Sequence, residues 1–226
     1  SATLERRDGH QPIIFMQAGK VRHSIKSDQG SRLVQRLEKK VLSFEVPLNL
    51  VSAEPKPHIS DVYRWLMLHS ERNKIIVDDI KNEVAKGKVP IVLTERREHA
   101  NIISRMLEDT GLNHQMLVGA MKKKQQAEVM AKLATTEVLV ATGRFIGEGF
   151  DLPRLDTLIL ALPVSWKGSL IQYVGRIQRE FEGKDEVKVI DYVDSRVPML
   201  SRMFKKREKG YRALGFEVDP NERLLI

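Results

Sequence analysis

The chain has 226 residues, of which 38 are basic and 30 acidic, so its formal net charge of +8 suits a polyanionic partner. It has no cysteine, which excludes disulfide frameworks and thiolate metal sites. The six histidines lack the spacing of metal ligands, and no apolar run approaches the roughly 18 residues of a membrane span. With no signal-like N-terminus either, we expect a cytoplasmic protein with no membrane partner and no metal site of its own.

The N-terminal part of the chain is predicted to be mostly irregular. Short strands are expected at residues 12–17 and 21–25, followed by a charged stretch containing Ser and Gly that extends to Leu42. Residues 48–58 contain or adjoin several prolines and are predicted to be an extended linker. Nothing in residues 18–60 points to a function by composition alone.

Two helices are predicted next. Ser60 is a suitable N-cap for a helix that begins near Asp61, and Ser70 for a second helix that ends near Gly87. The apolar stripe of the first helix consists of Val62, Trp65, Leu66 and Leu68. The apolar stripe of the second helix consists of Ile75, Ile76, Ile80 and Val84.

Beyond the second helix, buried-strand patterns alternate with helical periodicity. The predicted strands lie at 89–94, 114–118, 137–141, 157–161 and 187–192. The predicted helices lie at 97–109, 122–134, 168–181 and 197–214. This alternation predicts a parallel sheet with helices on both faces, in which ligands bind beyond the carboxyl ends of the strands. The polar loops after the third and fourth of these strands therefore lie where a site is expected.

The predicted helix 168–181 has an apolar face and a cationic face. Gln172, Arg176 and Arg179 share one face because they are spaced i, i+4 and i+7. The opposite face consists of Leu170, Val174, Ile177 and Phe181. Gly175 costs helix stability, about 1 kcal/mol relative to alanine, so close approach by another group is a plausible reason for it. Planar guanidinium groups suit phosphate oxygens, although a solvated basic face gives the same pattern.

Two segments resemble motifs of superfamily 2 helicases. The pattern Gln172-x-x-Gly175-Arg176-x-x-Arg179 resembles motif VI, and the segment from Ala141-Thr142 to Gly149-Phe150-Asp151 resembles motif V. Both occur in the order and spacing of that family. Chance agreement at four fixed residue types is expected about once in 10⁵ places, so coincidence is a poor explanation.

Other segments extend the resemblance. Residues 89–94, with the predicted helix that follows, resemble motif IV, and residues 116–119 resemble motif IVa. The triplet Ser1-Ala2-Thr3 matches motif III, which closes the first RecA-like lobe in these enzymes. The resemblance implies an α/β, parallel-sheet RecA-like domain of the P-loop NTPase type over residues 59–226. Residues 1–58 are then the end of the first lobe and a short, partly β interlobe connecting segment.

The sequence lacks the other half of such an enzyme. It has no Gly-x-x-x-x-Gly-Lys-Ser/Thr loop to hold nucleotide phosphates and no Asp-Glu-x-Asp or Asp-Glu-x-His tetrad to hold magnesium. The resemblance therefore implies the C-terminal lobe of an ATP-dependent helicase or translocase, whose N-terminal RecA-like lobe is its partner. ATP and Mg²⁺ would be held mainly by that other lobe, and we expect this chain alone to be inactive as an ATPase.

The resemblance also implies roles for the residues of motifs V and VI. Arg176 and Arg179 would reach the γ-phosphate, with Arg179 as the arginine finger. Asp151 would contact the ribose hydroxyls, Gly149 would allow close approach of the backbone to the nucleotide, and Gln172 would hydrogen-bond near the phosphates. The alternatives are a salt bridge from the arginines to Glu148 or Asp151, and turn formation by the aspartate and glycine.

The strand ends are predicted to face nucleic acid, with DNA favoured over RNA. Hydroxyls and free backbone N–H groups at loop ends suit phosphate oxygens, and this applies to Thr94, Gly119 and Thr142. The same residues would also serve as ordinary caps and turns. Further candidates for backbone contacts are Arg96, Arg97, Arg144 and the run Lys122-Lys123-Lys124. Trp65 is expected in the core, and Trp166 in a loop near the cleft.

Two other classes of function remain open from the sequence. One is a non-catalytic nucleic-acid-binding clamp that has a helicase-like fold. The other is a nucleotide-sugar transferase whose basic helix binds a diphosphate.

Overall fold

The chain forms an α/β domain around one parallel sheet. The computed structural model describes residues 33–51, 56–119, 121–143, 152–164, 167–218 and 223–225. The strands predicted at 12–17 and 21–25 and the Ser1-Ala2-Thr3 triplet lie outside these residues. No helix in the described part of the chain combines the length and the apolar character needed to cross a membrane.

Eight strands make up the sheet. They are β1 Val34–Leu42, β2 Pro90–Thr94, β3 His114–Leu117, β4 Val138–Thr142, β5 Thr157–Leu160, β6 Glu186–Asp194, β7 Glu217–Val218 and β8 Arg223–Leu225. Their order is β3-β4-β2-β5-β6-β1-β7, and β8 also pairs with β1. Every pairing described is parallel, so the carboxyl ends of the strands lie at one edge of the sheet.

Seven helices accompany the strands in the described residues. They are α1 Leu48–Val51, α2 Ile59–Leu68, α3 Ser70–Ala85, α4 Arg97–Glu108, α5 Lys123–Lys132, α6 Lys167–Ile177 and α7 Pro198–Ala213. A 3₁₀ turn, Leu133–Thr135, follows α5. The structure confirms the predicted fold class and the alternation of strands and helices from residue 89 onward, with boundaries that agree within a few residues.

The central strands are buried on both sides, which explains their continuous apolar runs. All residues of β2 and β4 are buried. Ile91 and Leu93 face a cluster formed with α6, whereas Val92 between them faces a cluster formed with α3 and α4. The period of two along the strand therefore sends alternate side chains to opposite helical layers.

β1 lies in a part of the chain that the sequence analysis assigned to the connecting segment. It pairs with β6 along its whole length, from Val34 opposite Glu186 to Leu42 opposite Asp194. Leu37 and Leu42 are fully buried in the two helix-facing clusters. Residues 33–51 therefore share a sheet and a core with the predicted C-terminal domain.

β1 was not predicted from the sequence because its charged residues break the apolar pattern of a buried strand. In the fold, these charged residues have partners on other elements. Arg36 Nε lies 2.9 Å from a carboxylate oxygen of Glu186 on the neighbouring strand. The buried Lys40 ammonium donates to Asp79 on α3. The polar side chains of this strand are thus satisfied by residues distant in sequence.

Three other local predictions need correction. The predicted extended linker begins with the short helix α1, and α2 and α3 are capped by histidines instead of serines. The Nδ1 atoms of His58 and His69 accept hydrogen bonds at 3.3 Å from the backbone N–H groups of Ser60 and Arg72. Helix α6 ends at Ile177, so Phe181 lies beyond it and is 52% exposed, not part of a buried stripe.

A buried ion pair links α7 to the centre of the sheet. The Arg207 guanidinium donates to both carboxylate oxygens of Asp191 on β6, at 2.7 and 2.8 Å, and to the Val164 carbonyl at 3.1 Å. The Tyr211 hydroxyl donates to the same carboxylate at 2.9 Å. Arg207 is only 4% exposed, so its charge depends on this partner.

We expect Asp191→Ala to lower the free energy of unfolding by about 3–5 kcal/mol, because it leaves a buried guanidinium without its carboxylate. Urea denaturation measures this loss. Glu208→Ala is the control: it removes the partner of Arg212 in an ion pair of 3.0 Å at the surface of α7. That variant is expected to lose less than about 0.5 kcal/mol, and equal losses for the two variants would contradict the account.

Candidate functional site

Helix α6 presents its predicted polar residues away from the core. Leu170, Val174 and Ile177 are buried against the sheet, which confirms three of the four predicted apolar positions. Gln172 is exposed, and Arg176 is half-buried. Gly175 is exposed as well, and a Cβ added there would meet no atom within 4 Å. This face of α6 therefore has room for a group from outside the chain.

Arg179 does not share the regular helix with Arg176. It is exposed and lies two residues beyond the end of α6. Its carbonyl oxygen accepts a hydrogen bond of 2.8 Å from Lys184, which also donates to the carbonyl of Leu155, two residues before β5. The predicted finger thus lies near the amino ends of the strands, although the sequence analysis expected the site beyond their carboxyl ends.

The three strand-end residues predicted to contact nucleic acid are brought together at the carboxyl edge. Thr94 and Thr142 are paired neighbours on β2 and β4. The Gly119 N–H, two residues after β3, donates to the Thr142 hydroxyl at 3.3 Å. Gly119 is half-buried, and a Cβ there would meet nothing within 4 Å, so the space beside its Cα is open.

The Thr94 hydroxyl is turned inward, which favours the cap or turn role that the sequence left open. Thr94 is 1% exposed, and its hydroxyl lies 3.1 Å from His99 Nδ1 while accepting from the Arg96 N–H at 3.4 Å. The side chain therefore fixes the start of α4 and, in this arrangement, is not available for a phosphate. Thr142 is also largely buried, at 8% exposure.

A neutral histidine completes this network. Asn73 donates its amide to the Met67 carbonyl, which leaves Oδ1 to accept from His99 Nε2 at 2.9 Å. The ring then accepts at Nδ1 from the Thr94 hydroxyl. Burial, together with the nearby Arg72 guanidinium, lowers the pKa of His99 to about 3. An uncharged ring can therefore hold strand end and helix together at neutral pH.

The predicted cationic contacts are exposed at the same edge. Arg96 lies with its guanidinium 5.8 Å from the Tyr63 ring centre, and Arg97 is the first residue of α4. Both are exposed, as are Lys122, Lys123 and Lys124 at the start of α5. No side chain caps the N-terminus of α4 with a hydrogen bond. These cations and helix N-termini favour an anionic partner at this edge.

Gly143 connects motifs IV, V and VI. A Cβ on Gly143 would overlap the Tyr173 hydroxyl of α6 and lie 3.1 Å from a carboxylate oxygen of Glu95. A side chain at this position would therefore displace the Tyr173 ring that reaches the ends of β2 and β4 from α6. Neither Tyr173 nor Glu95 could be assigned to the site from the sequence, in which the one available signal was the glycine that follows a buried strand.

Another residue that the sequence analysis missed is Arg72. It is fully buried on α3, where its Nε lies 3.1 Å from Asp194 and its Nη1 donates to the Ala161 carbonyl at 2.6 Å. From α3, the Arg72 side chain therefore connects the carboxyl ends of β5 and β6. Helix α3 was predicted from its apolar stripe, and an arginine outside that stripe gave no indication that its side chain would be buried in this contact.

The remaining predicted site residues lie outside the described residues. They are Arg144, Glu148, Gly149, Asp151 and Trp166. Trp65, predicted in the core, is half-buried and packs edge-on against His69 at 5.4 Å. A groove of about 710 Å³ between α1, α2 and the start of α3 contains none of the predicted site residues.

The comparison with known families agrees with this arrangement. The family described as "Helicase conserved C-terminal domain" matches residues 70–180, from the start of α3 through the arginine motif. Residues 70–180 belong to the helicase C-terminal domain family of superfamily 2. The match covers the helicase segments at Thr94, Gly119, Thr142 and on α6, so the resemblance inferred from these motifs is confirmed at the level of the family.

Two relatives of this helicase domain are longer than the chain. "Putative ATP-dependent helicase IRC3" of Saccharomyces cerevisiae is 27% identical over 132 residues, which are 57% of this chain and 19% of the relative. "Putative helicase 161L" of Invertebrate iridescent virus 6 is 26% identical over 235 residues, 95% of this chain and 49% of the relative. The chain thus spans about half or less of the length of these relatives.

Among solved structures, T4 UvsW has the same fold. The two agree with a TM-score of 0.65 at 17% identity, over 84% of this chain and 41% of the other. At that identity the likeness supports the fold alone.

We expect the stability of this helicase domain to depend on His99 in acid. The folded pKa of about 3 lies below the usual 6.5, so the unfolded chain binds the extra proton first, and stability is lost as pH falls below 6.5. The loss is at most about 1.4 kcal/mol per pH unit for one group. Urea denaturation at several pH values should give a shallower dependence for His99→Gln.

His114→Gln is the matched control, because His114 is half-buried and lies 2.8 Å from Ser104 outside the network. This variant should keep the pH dependence of the unmodified chain. An unchanged dependence in His99→Gln would show that the ring does not stay neutral in the fold.

Proposed function

We propose that the chain is the C-terminal lobe of an ATP-dependent nucleic-acid helicase or translocase and works with an N-terminal RecA-like lobe. In this proposal the N-terminal lobe supplies the phosphate-binding loop and the acidic residues. This chain supplies the arginine finger and part of the nucleic-acid surface. The observation that carries the proposal is the outward face of α6, with Gln172, Gly175 and Arg176 directed away from the core, followed at once by the exposed Arg179.

The chemistry assigned to this face is stabilisation of charge. The transition state of phosphoryl transfer spreads negative charge over the γ-phosphate oxygens, and a guanidinium group stabilises it without proton transfer. Arg179, beyond the helix end, is the residue we assign as finger, and Arg176 and Gln172 hold the phosphates beside it. The open space at Gly175 supports this assignment, because a triphosphate on another lobe would need to approach there.

Magnesium, when bound, would neutralise charge on the ATP phosphates. Among the described residues there is no group of three or more side chains suited to hold a metal ion. We therefore assign its ligands to the N-terminal lobe. Asp151 and Gly149 complete the nucleotide contacts in this proposal.

The carboxyl edge is assigned to nucleic acid, and we favour DNA. Contacts from Arg96, Arg97, Arg144, Thr142 and the Gly119 backbone would hold phosphates, so binding would not depend on sequence. Thr94 supports the edge from within, through His99 and the start of α4. ATP binding would close the two lobes and hydrolysis would reopen them, which moves these contacts along the strand. We place the intact protein in the cytoplasm.

In a protein that carries both lobes, we expect Arg179→Ala to lower the rate of ATP hydrolysis by about 10³–10⁵-fold. Binding of ADP should remain within a few-fold, because ADP has no γ-phosphate for the finger to contact. Steady-state hydrolysis assays and calorimetry measure the two quantities. Arg212→Ala, an exposed arginine on α7, is the control and should keep full turnover.

Unchanged turnover in Arg179→Ala would show that Arg179 is not the arginine finger.

The isolated chain is expected to show no magnesium-dependent ATP hydrolysis. ATP turnover by the purified chain would refute the proposal that two lobes share the catalytic groups.

The nucleic-acid surface has its own test. Arg97→Ala should weaken binding of single strands of any sequence and lower the slope of log K against log salt by about 1, because one phosphate contact is lost. Arg105→Ala, an exposed arginine in the last turn of the same helix, is the control. Fluorescence anisotropy at several salt concentrations measures both, and equal slopes for the two variants would place the contact elsewhere.

A further inference from the structure

Lys184 joins three segments of the chain through one ammonium group. Its Nζ donates to the carbonyl oxygens of Leu155 at 2.5 Å, Arg179 at 2.8 Å and Pro153 at 3.1 Å. An ammonium has three N–H donors, so these contacts use all of them. The carbonyl of the predicted finger residue is therefore held beside the loop that leads into β5.

The loop before β5 is the anchored side of this contact. The Leu155 N–H donates to the Leu152 carbonyl at 3.1 Å, and the Asp156 N–H donates to the Val89 carbonyl at 3.3 Å. The Asp156 carboxylate accepts in return from the Val89 N–H at 3.0 Å. Because this loop is fixed to the sheet independently of Lys184, the ammonium holds the end of α6 against it.

A tight turn directs Lys184 back toward Arg179. The Lys184 N–H donates to the Phe181 carbonyl at 3.1 Å, and Gly183 in the turn has a φ of +78°. A positive φ at the third position of a turn favours glycine. The chain therefore reverses within a few residues of the helix end, and the lysine side chain returns to the carbonyl of Arg179.

We infer that Lys184 is a positioning residue for the arginine finger, because it fixes the backbone of Arg179 against the loop before β5. This inference rests on the proposed function. Lys184 touches neither nucleotide nor nucleic acid in this account. It acts by holding the origin of the Arg179 side chain, and a displacement of about 1 Å at a catalytic group costs up to about 10²-fold in rate.

The ionisation of Lys184 offers a second way to observe this role. The pKa of Lys184 is lowered to about 8, mainly because the ammonium is partly buried; the Asp156 carboxylate opposes this shift and the Lys88 ammonium contributes to it. A neutral amine has two N–H donors and a lone pair, so one of the three carbonyls loses its partner. Because the folded pKa lies below the usual 10.5, loss of this proton does not reduce folding stability as pH rises.

The test uses the two-lobed protein and the variants Lys184→Met, Lys184→Arg and Arg179→Lys. Lys184→Met keeps most of the stem and removes the donors, and we expect kcat for ATP hydrolysis to fall by about 10–100-fold. The affinity for ADP should stay within about threefold, since the loop before β5 keeps its other hydrogen bonds. Lys184→Arg retains a cation with N–H donors and should keep at least about a third of kcat. The unmodified protein is expected to lose kcat above pH 8 as Lys184 loses its proton, and Lys184→Arg is expected not to show this fall.

A double-mutant comparison separates positioning from general damage. If Lys184 acts through Arg179, adding Lys184→Met to Arg179→Lys should cost less than about threefold in kcat. The same 10–100-fold loss in both backgrounds, or a loss of kcat below threefold for Lys184→Met alone, would overturn the inference. If Lys184→Met does not fold, the Lys184→Arg variant provides the test. A dependence of kcat on pH identical to that of the unmodified protein would then overturn the inference.

A different result would contradict the proposed function. Unchanged turnover in Arg179→Lys and Arg179→Ala would remove the finger role itself, whatever Lys184→Met does.

Discussion

The parallel pairing of every described strand is the constraint on which the rest of the structure depends. Each strand runs in the same direction, so each connection must return the chain from the carboxyl edge to the amino edge. Thr94, Gly119 and Thr142 therefore meet at one edge, whereas α6 takes the backbone of Arg179 toward the other. One small domain thereby presents two separate surfaces.

Buried polar contacts hold both edges in place. At the carboxyl edge, the neutral His99 links Thr94 to Asn73, and Arg72 joins the ends of β5 and β6. At the amino edge, Lys184 joins the end of α6 to the loop before β5. Each group loses hydration when buried, and each regains hydrogen bonds only in one arrangement of the segments around it. These contacts therefore specify geometry more than they add stability.

The features that could be predicted from the sequence were those encoded locally. The apolar composition of β4 predicts a buried strand, and the helical spacing of Leu170, Val174 and Ile177 predicts a helix with one buried face. β1 could not be found in this way, because its Arg36 and Lys40 are paired with Glu186 and Asp79. The inward turn of Thr94 depends on His99, which Asn73 on α3 contacts, and the end of α6 depends on Lys184 and the loop before β5. The motifs therefore located the site but not the direction of every side chain.

The separation of the two surfaces can be measured by amide hydrogen exchange on the two-lobed protein, with either a non-hydrolysable ATP analogue or a single strand added alone. The account predicts that the nucleotide slows exchange in residues 172–180 and 152–156, and that the strand slows exchange in residues 94–99 and 119–124. Protection of residues 172–180 by the strand, with the nucleotide protecting the carboxyl edge instead, would contradict it.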